Sequence, residues 1–238
     1  MSQVLNATVR SGDLLLFSGR GLSSWLVRMF TRSRWSHIGM VVELPGHPQP
    51  LLLESTLFNE SADVVLGRPV AGVVLVSLAE KLDNYKGDVA LRRRCGSALG
   101  GRQQRLLEKM LARLMHRPYK HYLLCHLLEY LGGGARRQDL SGLFCSELVA
   151  EIYRRLGWLP GDIRASNFVP GHFAGPALAL REGHLGELVL LKGAGSCAKA
   201  SGEPCRDTVA IARQTAGHGR LLPPQSHGGQ SPRSPAAA

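Results

Sequence analysis

The sequence predicts an α+β fold in which an antiparallel sheet packs against helices. Three observations lead there. Short β-branched and leucine-rich runs crowd the first half of the chain, leucine-spaced amphipathic stretches dominate from residue 103 to 157, and a last apolar run follows at 187–192. Runs of strands followed by runs of helices favour α+β over the alternation of a parallel α/β sheet. At 238 residues, 44% of them hydrophobic, the chain can close one sizeable core. Residues 1–192 are expected to form one domain. Residues 193–238, rich in Ala, Gly, Ser, Pro and Gln, are expected to be a disordered tail, with a brief helix conceivable at 208–213.

The elements follow in order. Residues 11–19 form a buried strand between glycines. Residues 23–30 form a short helix opened by serines, with Leu26 and Phe30 turned inward. A polar loop holding Trp35 and Ser36 then runs into a strand that begins at His37. Gly39 within that strand signals the close approach of a neighbouring chain. After a Pro-Gly turn, residues 51–55 give a hairpin partner with Glu54 at its end. Whether His37 and Glu54 face one another depends on register, which the linear sequence leaves open.

Residues 58–69 read as irregular and 72–77 as another buried strand. Residues 78–85 read as a helical turn and 88–92 as a weaker strand. In the helix at 103–116, Leu107, Met110, Leu111 and Leu114 share one face. A leucine-rich helix is expected at 119–131, closed by Gly132–Gly134, and residues 166–173 read as a loop.

The most informative stretch is 141–157. Leu148, Ile152 and Leu156 recur every four residues, Cys145 shares the face of Val149 and Ile152, and Gly157 stands where a helix ends in the left-handed conformation. Cys145 therefore falls in the first turn. The unpaired N–H groups there favour a thiolate and could hold an oxyanion. The same position also suits a small buried hydrophobe. A cysteine nucleophile needs a base and a group to orient that base; His37 and Glu54 are the candidates. Glu147 and Glu151 read as a solvated face, and His172 as surface. The spacing of His116, His121 and His126 does not stack them on one helix face, so they are not read as a metal cluster.

Taken in order, residues 12–17, 36–42, 53–55 and 144–149 resemble the permuted NlpC/P60-type papain-like hydrolases of the YiiX/YaeF group, in which the histidine strand precedes the cysteine helix. The resemblance spans about residues 10–192. It implies a circularly permuted papain-like topology, with Cys145 as nucleophile, His37 as general base and Glu54 as the acid that orients the imidazole. Arg117-Pro-Tyr-Lys120 is similar to the family's Pro-Tyr segment, which makes Tyr119 a candidate substrate-binding residue alongside Trp35 and Ser36. The reaction implied is hydrolysis of a peptide or small amide through a thioester, with no metal or organic cofactor. Distant relatives of similar topology act on lipid esters or thioesters, and a catalytically silent binding module would keep the same fold.

Composition bounds the partners. The net charge is +11, from 29 Lys/Arg against 18 Asp/Glu, and it is spread along the chain. With few aromatics and no zinc-finger spacing, no specific nucleic-acid partner is expected, whereas peripheral contact with an anionic membrane suits the charge. Five cysteines without a C-x-x-C pair argue against both a structural zinc site and a dense disulfide framework. Charges interrupt every apolar run, including the N-terminal one, so neither a signal peptide nor a spanning helix is expected, and the cytoplasm is the expected compartment. The oligomeric state stays open.

Overall fold

The computed structural model describes residues 9–57, 60–119 and 144–193. The expected tail at 193–238 apart from Gly193, the expected helix after Tyr119, and His121 and His126 lie outside the described residues.

Among the described residues, six strands make one antiparallel sheet: β1 (Leu14–Gly19), β2 (His37–Val42), β3 (Leu51–Thr56), β4 (Gly72–Ser77), β5 (Gly87–Cys95) and β6 (His184–Lys192), in the spatial order β4-β3-β2-β1-β5-β6. The helices are α1 (Leu22–Thr31), α2 (Leu78–Asn84), α3 (Gly101–Leu114), α4 (Cys145–Arg155) and the short α5 (Pro170–Ala174), with a 3₁₀ turn at Ala165–Asn167. The fold is α+β.

Strand alternation sorts the core into two layers. One face presents Leu14, Leu16, Ile38, Met40 and Leu53 to α3 and α4; the other gathers Leu15, Phe17, Val41, Leu52 and Leu78. All four apolar positions expected on α3 are buried. α4 packs on β2 and β3 through Leu148, Val149 and Ile152, which are fully buried. Each such side chain contributes about 1.5–3 kcal/mol of transfer free energy. The helix is also fixed at both ends. Ser146 donates to the Phe168 carbonyl at 2.6 Å, and the Tyr153 hydroxyl donates to the Gly12 carbonyl at 2.5 Å. Gly157, at φ +82°, closes it in a Schellman turn, with Trp158 N–H bonded to the Tyr153 carbonyl and Gly157 N–H to that of Arg154.

Several expectations need correction. Phe30 is 59% exposed, so α1 does not turn it inward. Glu147 and Glu151 are buried, not solvated. Glu151 accepts a bidentate pair from Arg154 and a bond from Arg155, so the two arginines at the end of the helix satisfy it instead of water. β5 is a nine-residue strand between β1 and β6, longer than alternation over 88–92 implied, and the stretch 166–173 contains a helical turn and α5.

Candidate active site

His37 opens β2 and pairs with Phe17 of β1, while Glu54 of β3 lies opposite Gly39. Residues 37 and 39 share a face, so Glu54 is the diagonal cross-strand neighbour of His37. Leu52 of β3 packs directly over Gly39. A Cβ there would come 2.8 Å from Leu52 Cδ1 and 3.1 Å from the Leu53 carbonyl oxygen, closer than packed atoms allow. The register that the sequence left open thus brings His37 Nε2 to 2.6 Å from Glu54 Oε2.

The other carboxylate oxygen, Oε1, accepts from Lys81 Nζ at 2.6 Å. Lys81 stands on α2 and is itself buried, and its ammonium sits 5.8 Å from the centroid of the Phe17 ring. Lys81 was not among the residues singled out from the sequence. The available signal was its spacing: three residues after Leu78 and one before Leu82, it falls on the inward stripe of α2.

Cys145, the first residue of α4, is buried and carries a free thiol. Its thiol is a close neighbour of the His37 imidazole and acts on the charge of the ring. With Nε2 occupied by Glu54, Nδ1 is the ring nitrogen left for the sulfur. Both residues begin their elements, so sulfur and imidazole meet where strand and helix start. The Phe144 N–H just before the cysteine is met by Glu147 Oε2 at 3.4 Å.

Electrostatics follow from this arrangement. Burial opposes the charged form of His37, but the coulombic pull and hydrogen bond of Cys145, reinforced by Glu54, raise its pKa from 6.5 to about 9. Burial likewise opposes the charge on Glu54, which is fully buried. The Lys81 ammonium and the His37 hydrogen bond overcome it and hold the carboxyl at about 2. At neutral pH the geometry favours an imidazolium flanked by a carboxylate and a sulfur.

The structure thus brings Cys145, His37 and Glu54 together and adds Lys81. It places the other candidates nearby in different roles. Trp35 is buried in the core layer beneath α4. The Ser36 hydroxyl donates to the Phe17 carbonyl and accepts from Gly19 N–H, both at 3.3 Å, tying the His37 segment to β1. Tyr119 lies edge-on to Phe144 at 6.0 Å, one residue before the cysteine. His172 is exposed and accepts from Val169 N–H, and His116 bonds Asp63 at 3.3 Å. Among the described residues no group of three or more His, Cys, Asp or Glu side chains is placed to hold a metal ion.

No family model matches the chain. No curated protein matches it. A crystal structure of the metalloprotein YiiX from Escherichia coli O157:H7 is similar over 66% of this chain and 68% of that one, at 22% identity and a TM-score of 0.44. The fold class therefore stands on the strand order and helices observed here. No helix among the described residues is long and apolar enough to cross a membrane.

Proposed function

We propose that this chain is a cysteine hydrolase of permuted papain-like type that cleaves an amide bond through a thioester. The observation that carries the reading is the His37 imidazole held between the Cys145 thiol and the Glu54 carboxylate. In this mechanism the Cys145 sulfur attacks the carbonyl carbon while its proton resides on His37. The tetrahedral oxyanion lies at the start of α4, where the Cys145 backbone N–H is free of helical pairing. His37 gives its proton to the departing amine, leaving an acyl-Cys145 thioester. His37 then takes a proton from water, which attacks the thioester; the acid departs and the thiol is restored.

Glu54 fixes the tautomer and plane of the imidazole. Lys81 acts on Glu54: it keeps the carboxylate charged despite complete burial and occupies the oxygen that would otherwise lack a partner. Lys81 is thus a positioning residue.

The test is mass spectrometry after brief exposure to iodoacetamide at pH 6. Preferential alkylation at Cys145, lost on His37→Gln substitution, is the expected outcome; uniform labelling of the accessible thiols would remove the basis for the nucleophile. A second reading, transfer or hydrolysis of an acyl group from a lipid ester or thioester, uses the same residues. It is favoured by one observation, the exposed apolar side of α1 at the same end of the sheet. Release of fatty acid from a lipid ester, without turnover of peptide amides, separates it from the first reading.

A further inference from the structure

α1 carries a large exposed apolar surface. Leu22 is 74% exposed, Trp25 47%, Met29 51% and Phe30 59%. Residues 22, 25 and 29 form one stripe along the helix with Phe30 beside it. Exposed apolar side chains are ordinary when scattered, but four large ones on three turns of helix make a contiguous patch of the kind that marks an interaction site.

The charge around the patch is one-sided. No Asp or Glu occurs between Asp13 and Glu43, a segment that contains Arg20, Arg28, Arg32 and Arg34. Arg20 and Arg32 are exposed at the two ends of the helix, and Arg34 is exposed while reaching Asp88 at 2.7 Å. Arg28 points the other way. Its guanidinium donates to Ser18 Oγ at 2.9 Å and to the Gly19 carbonyl at 3.0 Å, fastening α1 to the end of β1. That end adjoins Phe17, the cross-strand partner of His37.

We propose that α1 is an interfacial helix that docks the protein on an anionic phospholipid surface. Leu22, Trp25, Met29 and Phe30 enter the boundary between headgroups and acyl chains, and Arg20 and Arg32 pair with anionic headgroups. An amphipathic helix with aromatic and aliphatic residues on one side and arginines at its margins has the composition this binding requires. A second copy of the chain is the poorer occupant, because a twofold contact would set two arginine-rimmed patches against one another. The docked pose brings the His37 end of the sheet to the lipid, but the docking itself does not depend on thiol chemistry.

The test uses the full chain and its own fluorescence. Trp35 and Trp158 are buried, so Trp25 is the exposed indole among the three tryptophans. Vesicles of phosphatidylcholine with phosphatidylserine are expected to shift the Trp25 emission to the blue. Brominated lipids are expected to quench it, added salt to reverse it, and phosphatidylcholine alone to act weakly. A Leu22→Ser/Met29→Ser/Phe30→Ser variant and an Arg20→Glu/Arg32→Glu variant are each expected to partition about tenfold or more weakly, at unchanged thermal unfolding. Cys145→Ala is expected to partition like the wild type, which keeps this result separate from that of the hydrolase assay. The proposal is overturned if bromolipids leave Trp25 unquenched, if the triple serine variant binds as well as wild type, or if that variant abolishes self-association in a protein that ignores vesicles.

Discussion

His37 Nε2 lies 2.6 Å from Glu54 Oε2 although the two residues are not direct cross-strand partners. The residue opposite Glu54 is Gly39, and the Leu52 side chain packs into the space left by its missing Cβ. A pairing shifted by one residue would have sent Glu54 to the opposite face.

Glycine at 39 is a requirement of the close packing between β2 and β3. Gly39→Ala is expected to force β2 and β3 apart against Leu52 and the Leu53 carbonyl and to cost about 1–3 kcal/mol. Urea unfolding checks the cost. Turnover should fall further than stability implies, because the same shift lengthens the His37–Glu54 bond. Unchanged stability would show that the strands relax freely there.

Glu54 and Lys81 form a buried ion pair, and such pairs respond unequally to single and double substitution. Glu54→Gln is expected to destabilise by about 3–5 kcal/mol, because it leaves the buried Lys81 ammonium without its partner, and Lys81→Met by less, because His37 still pairs with Glu54. The double variant is expected to lose much less than the sum. Chemical denaturation of the four proteins in a double-mutant cycle reads the coupling; additive losses would mean that the two groups do not act as a pair.

Stability should depend on pH at both flanks of the site. His37 is raised from 6.5 to about 9, so its contribution is complete below about 6.5 and is lost as pH rises through 9. Glu54 is lowered from 4.5 to about 2, so its contribution is complete above about 4.5 and is lost as pH falls through 2. The site's joint contribution is therefore greatest between about pH 4.5 and 6.5. Subtracting the unfolding free energies of His37→Gln and Glu54→Gln from that of the wild type across pH isolates it. NMR titration of the imidazole should place its midpoint near 9 in the wild type and lower in Cys145→Ala, which removes one source of the shift.

The chemical roles separate by substitution. Cys145→Ala is expected to lower turnover by about a thousandfold or more, and His37→Gln by about 10²–10⁴-fold, with the two effects far from additive. Steady-state kinetics on an amide substrate, once one is found, measures both. Near-native turnover by Cys145→Ala would exclude the thioester route.

Much of this was legible in the sequence for identifiable reasons. Periodicity located every described strand and the two long helices α3 and α4, because burial on one face writes itself into the spacing of Leu, Val and Ile. Gly157 marked the end of α4 because its left-handed backbone disfavours other residues. The misreadings share a cause. Glu147 and Glu151 read as solvated charges, since local pattern treats a charged residue as a surface residue, and the same bias leaves Lys81 unremarked. All three are buried: Glu151 is satisfied by Arg154 and Arg155 of its own helix, while Lys81 finds Glu54 only through folding. Phe30 differs in the other direction: an aromatic at helical spacing reads as core, while its place on the outer side of α1, beyond the end of β1, leaves it in solvent.

The sequence by itself determined the α+β class, the strand that starts at His37 and the helix that starts at Cys145, because these follow from hydrophobic period and backbone preference within a few residues. Tertiary structure decided the register that sets Glu54 against His37, the contact between residues 108 positions apart in the chain, and the entry of Lys81 into the site. Those relationships depend on how separate elements pack, and local preference carries no information about the distance between them.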